Sequence, residues 1–361
     1  MFFDFVDGGS YSERTRAANL ADFGRWNLRP RVLVDIASRD LSTTVLGERL
    51  ALPLILGPTG FAGLLARRGE EQAARAAKAA NIPFTLSTAS ICRLEDVSRA
   101  AKVPWFNLYV MKDRGISNAL IDRAASARCP VLVVTVDGGA LATREADVRN
   151  DFRSVRMTPR RLLDFLSHPG WAIELGLAPR LQLGNLAGLP GVGTGFFEQS
   201  KFMAMQTDPC LDWHHIAEIR TRWGGKLVLK GIMSANDALK AADVGADAIV
   251  VSNHGGRQLD GAPSSIRVLP EIAGAVGERI EILFDGGVRR GQHIVTALAL
   301  GARACLIGRP WNYGLAADGE AGVARVIELL RAEFDITLGL MGLTAVSQLY
   351  RQAETCLSSA S

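Results

Sequence analysis

The sequence predicts an α/β protein: a (β/α)8 TIM barrel in a single domain, with a long variable loop after the fourth strand. Three observations predict it. From residue 50 onward, eight short apolar runs alternate with helical segments. The runs are nearly continuous in apolar residues, which implies strands buried on both faces and therefore parallel strands under helices. Nearly every run also ends in a polar or glycine-rich group, as strands do at the mouth of such a barrel. An open doubly wound sheet shares the alternation, but the repeat count matches the barrel.

The strands are read in order as "LPLILGPTG" (52–60), "PFTLST" (83–88), "WFNLYV" (105–110), "VLVVTVD" (131–137), "KLVLKGI" (226–232), "AIVVSN" (248–253), "EILFDGG" (281–287) and "ACLIGRP" (304–310). Between them lie "EEQAARAAKAA", "LEDVSRAA", "ISNALIDRAASA", "DWHHIAEIRTRW", "ANDALKAADVG", "SSIRVLPEIAGAVG" and "GQHIVTALALG", each with helical composition. A long helical tail follows the last strand. The barrel core covers about 50–312 of a domain spanning 1–361, and the variable loop covers about 151–210.

Composition narrows the function classes. With 361 residues, 48% of them hydrophobic, the chain buries a large core. The balance of 41 basic and 37 acidic residues gives a net charge of +4 without clustering, so nucleic acid is not expected as a partner. Cys92, Cys129, Cys210, Cys305 and Cys356 are odd in number and scattered, which fits neither a disulfide framework nor a metal site. A reducing, cytoplasmic compartment is expected, and no metal. The start "MFFDFVDGGS" lacks the basic and apolar regions of a signal peptide. No run approaches the ~18 apolar residues of a spanning helix.

The strand ends carry the chemistry. "DGGVRRG" (285–291) and "GRP" (308–310) follow the seventh and eighth strands, where barrels hold phosphate on glycine N–H groups and a helix N-terminus. Arg289 and Arg309 suit charge-assisted bonds to its oxygens. Lys230 ends a strand inside an apolar run and needs a partner. That partner is a carboxylate, a Schiff-base carbonyl, or a ring whose reduced form is anionic. His254 and Arg257, three apart, offer a base near neutral pH and a planar fork for a carboxylate, and Asp137 is placed to charge-balance His254. The set suggests a phosphate-bearing cofactor and a small carboxylate substrate deprotonated by histidine.

"SNHGGRQLD", with Lys230 upstream and "DGGVRRG…LALGA…IGRP" downstream, resembles the FMN-dependent L-2-hydroxy-acid oxidases and dehydrogenases. "FDFVDGG", "RPRVLVDIASRDLSTTVLG", "GPTG", "LYV", "TVD" and "READVRN" fall in that family's order, so the resemblance covers nearly the whole chain and is closest in motif to mandelate dehydrogenase. It implies FMN as cofactor. The backbone of Pro58, Thr59 and Gly60 and the hydroxyls of Ser87, Thr135 and Ser252 would hold the flavin ring, with Asn107 where a longer amide usually stands. Lys230 would stabilise reduced flavin, and Asp285, Gly287, Arg289, Gly308 and Arg309 would surround the ribityl phosphate. His254 would be the base, Asp137 its partner, Arg257 and Arg144 the carboxylate site, and Tyr109 a hydrogen-bond donor near the reacting hydroxyl.

Departures from the family pattern sharpen this expectation. Phe5 stands where many members carry a substrate-binding tyrosine. Ala89 replaces a tryptophan and leaves room for an aromatic ring. Gly60 follows the mandelate dehydrogenase pattern, which leans toward a quinone-type acceptor over dioxygen. The resemblance thus implies oxidation of an aromatic L-2-hydroxy acid, with a peroxide-producing oxidase as the alternative and a Schiff-base aldolase or isomerase on Lys230 as a remoter one. It also implies a homo-oligomer, specifically a tetramer. In the variable loop, Leu181, Leu183, Leu186, Leu189, Phe196 and Phe197 near Arg160, Arg161 and Arg180 suit a contact of 176–205 with the inner face of the plasma membrane, a lid or an oligomer surface. "GVGTG" (191–195) follows no strand and reads as a turn rather than a dinucleotide fingerprint. His214, His215 and Glu218 read as a helix face rather than a metal site.

Overall fold

The computed structural model describes residues 2–152, 158–176, 181–351 and 353–360. Eight parallel strands form its centre: β1 (Leu54–Leu56), β2 (Thr85–Ser87), β3 (Trp105–Tyr109), β4 (Val131–Thr135), β5 (Lys226–Ile232), β6 (Ala248–Val251), β7 (Glu281–Phe284) and β8 (Ala304–Ile307). Neighbours pair in sequence order and β8 pairs with β1. A parallel bridge from Leu56 to Phe84 closes the ring. Every predicted strand is present, and the barrel is confirmed.

Period-two alternation explains why each run is apolar throughout. Ile55, Trp105, Val131, Val133, Val228, Ala248, Val250, Leu283, Ala304 and Leu306 point inward and fill the barrel as one cluster. The residues between them, such as Leu54, Leu132, Leu229 and Ile249, pack outward under the helices. One step further along the inward rows, the side chains become Asn107, Thr135, Lys230, Ser252 and Asp285. The rows that pack the core at one end therefore present polar groups at the other. A hairpin of Thr43–Val45 and Glu48–Leu50 plugs the apolar end, with Val45 and Leu50 joining the interior cluster.

The helices Gly69–Ala79, Leu94–Ala100, Arg114–Ser126, Trp213–Arg222, Ala235–Asp243, Ser265–Val276 and Gly291–Ala299 fall where the sequence places them. Local chemistry sets several starts: the side chains of Asp113 and Ser234 accept from Gly115 N–H and Asp237 N–H. His215 completes a capping box with Asp212, and His214 pairs with Glu218 on the exposed face. The tail helix Arg309–Leu340 kinks at Asp318 and Gly319. Two helices, Phe2–Asp7 and Arg14–Ala21, precede the barrel, and the strand Trp26–Leu28 pairs with Leu357–Ser359.

The variable loop departs from expectation in which residues it exposes. Leu183, Leu186 and Phe196 are buried in the main core, and Leu181 and Leu189 are half-buried against it. Of the six apolar residues singled out there, only Phe197 is exposed. These residues fold inward because the segment lies against the barrel, where Leu183 N–H binds the Gln199 side chain and Asn185 accepts from Leu94 N–H. The exposed apolar surface lies earlier. Helix Pro159–Ser167 exposes Leu162, Leu163 and Leu166, and helix Pro169–Gly176 exposes Ile173. Arg180 and the side chains of Arg160 and Arg161 lie outside the described residues.

Candidate active site

At the polar end of the barrel a cavity of about 290 Å³ opens among the strand ends. Its lining includes Phe5, Pro58, Thr59, Gly60, Ser87, Ala89, Tyr109, Arg144, Lys230, His254, Arg257, Asp285, Gly287, Arg289, Gly308 and Arg309. Asn107, Asp137, Thr135 and Ser252 lie just behind that lining. Residues more than 300 positions apart in sequence thus meet at one mouth.

The histidine is held on both sides. His254 Nδ1 lies 3.0 Å from Asp137 Oδ1, and Nε2 lies 3.2 Å from the Tyr109 hydroxyl. A carboxylate accepts only, so Nδ1 carries a proton toward Asp137, and Nε2 faces the Tyr109 hydroxyl. The backbone of His254 is left-handed, at φ 59°, which aims the ring back over the strand end, and its N–H binds Ser252 Oγ at 3.1 Å. Gly231 makes room for the partner. A bulge falls at Lys230 and Ile232, Gly231 sits at φ +113°, and a Cβ there would lie 2.7 Å from the Asp137 side chain. Gln258, which sequence reasoning missed, donates to the carbonyls of Asp137 and Ala140 and ties the histidine loop to the loop after β4.

Lys230 Nζ lies 3.0 Å from Asp285 Oδ2 and donates to Ser252 Oγ at 3.0 Å. Burial favours the neutral amine, but Asp285 and Asp137 outweigh it and raise the Lys230 pKa above the ordinary lysine value. An ammonium so paired is a poor nucleophile, which argues against the Schiff-base alternative. Burial likewise opposes ionisation of Asp137, yet His254 and Lys230 hold its carboxyl below the usual range.

Two arginines staple the first helix over the mouth. Arg257 Nη1 donates to the carbonyls of Phe5 and Gly8, both at 2.8 Å, where the helix Phe2–Asp7 ends with unpaired carbonyls. Arg309 donates to Asp7, Gly8 and Gly255 carbonyls at 3.0, 2.9 and 2.9 Å. Phe5 stacks on Phe152 with centroids 4.3 Å apart, and Phe61 lies beside them. Phe152 carries no sequence signal as a site residue. Arg144 pairs with Asp147 at 2.7 Å. That second residue lies three positions on in "READVRN", and the i,i+3 spacing could have found it.

The donor set fits FMN. Arg289 and Arg309 are half-buried, neither has a carboxylate partner within ion-pair distance among the described residues, and burial with mutual repulsion lowers the Arg309 pKa to about 10. Beside them lie the Gly286–Gly287 turn and the start of helix Arg309–Leu340. Together these favour a doubly charged anion such as a phosphate monoester. Asp285 Oδ1 and Asn107 Oδ1 are buried acceptors with no hydrogen-bond partner among the described residues, which suits a ligand with hydroxyl and ring N–H donors.

A sequence profile of the FMN-dependent dehydrogenases matches residues 1–355. This chain belongs to the FMN-dependent dehydrogenase family. It is similar to the L-lactate dehydrogenase of Caulobacter sp. (strain K31), at 45% identity over 97% of this chain and 92% of that protein. It is 44% identical to the L-lactate dehydrogenase of Xanthomonas oryzae pv. oryzae (strain PXO99A), over 97% and 91% of the two chains. Among solved structures it resembles a monotopic membrane protein, (S)-mandelate dehydrogenase, with TM-score 0.95, 38% identity and coverage of 99% and 95%. A mandelate oxidase structure aligns with TM-score 0.83 and 35% identity, covering 99% and 93%. The family's cofactor is FMN, as the resemblance implied.

The lowered pKa of Asp137 has a stability consequence. Its folded value lies below the unfolded one, so its contribution is present above about pH 4 and is lost as pH falls through the lowered value. The stability gap between wild type and Asp137→Asn, measured by urea unfolding, is expected to narrow below pH 4. A gap unchanged between pH 5 and pH 2 would show that the pairing does not act on stability.

Proposed function

We propose that the cavity binds FMN across the barrel mouth and an L-2-hydroxy acid above it, and that the protein oxidises this acid to the 2-oxo acid, passing electrons to a quinone-type acceptor. The carrying observation is one imidazole fixed by a carboxylate, with two guanidinium groups bordering the same cavity. When bound, FMN supplies the two-electron acceptor. Arg289 and Arg309, with the backbone of Gly287 and Gly308, hold its phosphate, and Asp285 accepts from the ribityl chain. Pro58, Thr59, Gly60 and Ser87 would border the ring, with Thr135, Ser252 and Asn107 directly behind them. Lys230 would counter negative charge on the bound cofactor.

Arg257 and Arg144 bind the substrate carboxylate in this reading. Tyr109, whose hydroxyl already faces Nε2, turns its hydrogen bond to the substrate oxygen. His254 takes a proton at Nε2, and Asp137 stabilises the resulting imidazolium. Phe5 offers no hydroxyl to the carboxylate but carries both guanidinium groups 5.2 Å from its ring centre, within cation–π range.

The substrate side chain is read as aromatic. A Cβ on Gly60 would lie 3.1 Å from the Ala89 Cβ, so two small residues face one another and enlarge one corner. Phe5, Phe61 and Phe152 line the same cavity. A ring fills that corner, whereas a methyl group leaves it to water. The exposed Leu162, Leu163, Leu166 and Ile173 support peripheral attachment to a membrane. No described helix is long and apolar enough to cross one.

Three outcomes test the proposal. His254→Ala is expected to retain FMN while flavin reduction slows by about 10²–10⁴-fold in stopped flow; near-normal reduction removes His254 from its role. Anaerobic bleaching is expected to be more efficient with S-mandelate than with S-lactate or glycolate, and reoxidation faster with a quinone analogue than with air. The reverse order on either count overturns that half of the reading. Leu162→Glu with Leu166→Glu is expected to abolish co-sedimentation with anionic phospholipid vesicles, and unchanged sedimentation would place the membrane contact elsewhere.

A further inference from the structure

Arg144 and Arg257 border one end of the cavity, but they keep different company. Arg257 is held through Nη1 by neutral backbone carbonyls. Arg144 is held through Nε by the Asp147 carboxylate at 2.7 Å, and the two side chains are 20% and 17% exposed. Asp147 belongs to the short helix Glu145–Arg149 and stands outside the cavity lining. It therefore reaches a bound ligand only through Arg144 and through its field. That field extends to the second fork: burial, Arg144 and Arg309 push the Arg257 pKa well down, and Asp147 opposes them.

Among the described residues, and with Arg309 assigned above to the cofactor's phosphate, Arg144, Arg257 and Asp147 sum to one net positive charge at this end of the cavity, which matches a single carboxylate. Close by, Phe5, Phe61, Ala89, Leu141 and Phe152 form an apolar wall, and the other polar side chains of the lining on this side, Ser200, Gln206, Thr207 and Gln258, are neutral, so among the described residues no further cation stands here for a second carboxylate. An unpaired charge among such groups is strongly disfavoured.

We propose that Asp147 is the specificity-determining residue that makes this a monocarboxylate site. It positions Arg144 through Nε and cancels one of the two guanidinium charges, so a 2-hydroxy monocarboxylate is accepted and a 2-hydroxy dicarboxylate is turned away. The inference rests on the 2-hydroxy-acid reading given above and adds to it the residue that sets the charge the site accepts. A merely structural Asp147 would affect every acid alike, whereas a charge-cancelling one changes their ratio.

The test compares holoenzymes of wild type, Asp147→Asn and Asp147→Glu. For each, kcat/KM is measured with S-lactate and S-malate, and Kd for pyruvate and 2-oxoglutarate is read from flavin absorbance. A unit charge within about 7 Å at an effective dielectric near 20 moves such ratios by about tenfold or more. Asp147→Asn is expected to raise the malate-to-lactate ratio, and the 2-oxoglutarate-to-pyruvate affinity ratio, by that factor. Asp147→Glu keeps the charge and is expected to leave both within about twofold. Asp147→Ser replaces the amide variant if that one misfolds. Equal losses for both acids with unchanged ratios overturn the proposal, as does a wild type that handles malate as well as lactate. If wild-type flavin is reduced by none of the acids, the parent reading fails instead and takes this inference with it.

Discussion

Positive charge gathered out of water is the constraint on which this molecule depends. Lys230, Arg144, Arg257, Arg289 and Arg309 all line one cavity, and burying an ion costs roughly several kcal/mol even after relaxation. The protein offsets part of that cost itself. Lys230 has Asp285, Arg144 has Asp147, and Arg257 and Arg309 spend hydrogen bonds on the carbonyls that end the first helix. What remains uncompensated is concentrated in two places, beside the Gly286–Gly287 turn and beside Phe5. An anionic cofactor and an anionic substrate complete the balance, so binding and local stability are one problem here.

The catalytic pair shows how strand geometry is bent to chemistry. At the bulge after Lys230 the backbone of Gly231 comes so close to Asp137 that any side chain there would run into the carboxylate, and the left-handed backbone at His254 turns the imidazole toward that same carboxylate. Both departures are local and would be costly in most residues, glycine excepted. They persist because the strands on either side are packed throughout their length and leave the loops little alternative.

The barrel was legible in the sequence because burial on both faces writes itself as unbroken apolar runs, and polar residues such as Lys230 and Asp285 break those runs at the mouth. The residues taken from strand ends meet at one cavity for the same reason: the inward row is fixed by register, and register is fixed by the core. Less was legible where contacts depend on tertiary proximity. Phe152 stacks on Phe5 across nearly 150 positions, and Gln258 reaches the carbonyls of Asp137 and Ala140, with no periodicity to announce either. In the variable loop, apolar composition alone could not tell a face turned to the core from one turned outward. Leu183 and Leu186 went in, and Leu162, Leu163 and Leu166 stayed out.

The helix Phe2–Asp7 is bonded to side chains that arrive some 250 to 300 positions later in the chain. During synthesis the earliest segment therefore has no berth until the final strands have left the ribosome. Arg309 belongs both to that berth and to the anion-binding end of the cavity, so the cover and the cradle beneath it become available at the same point of translation.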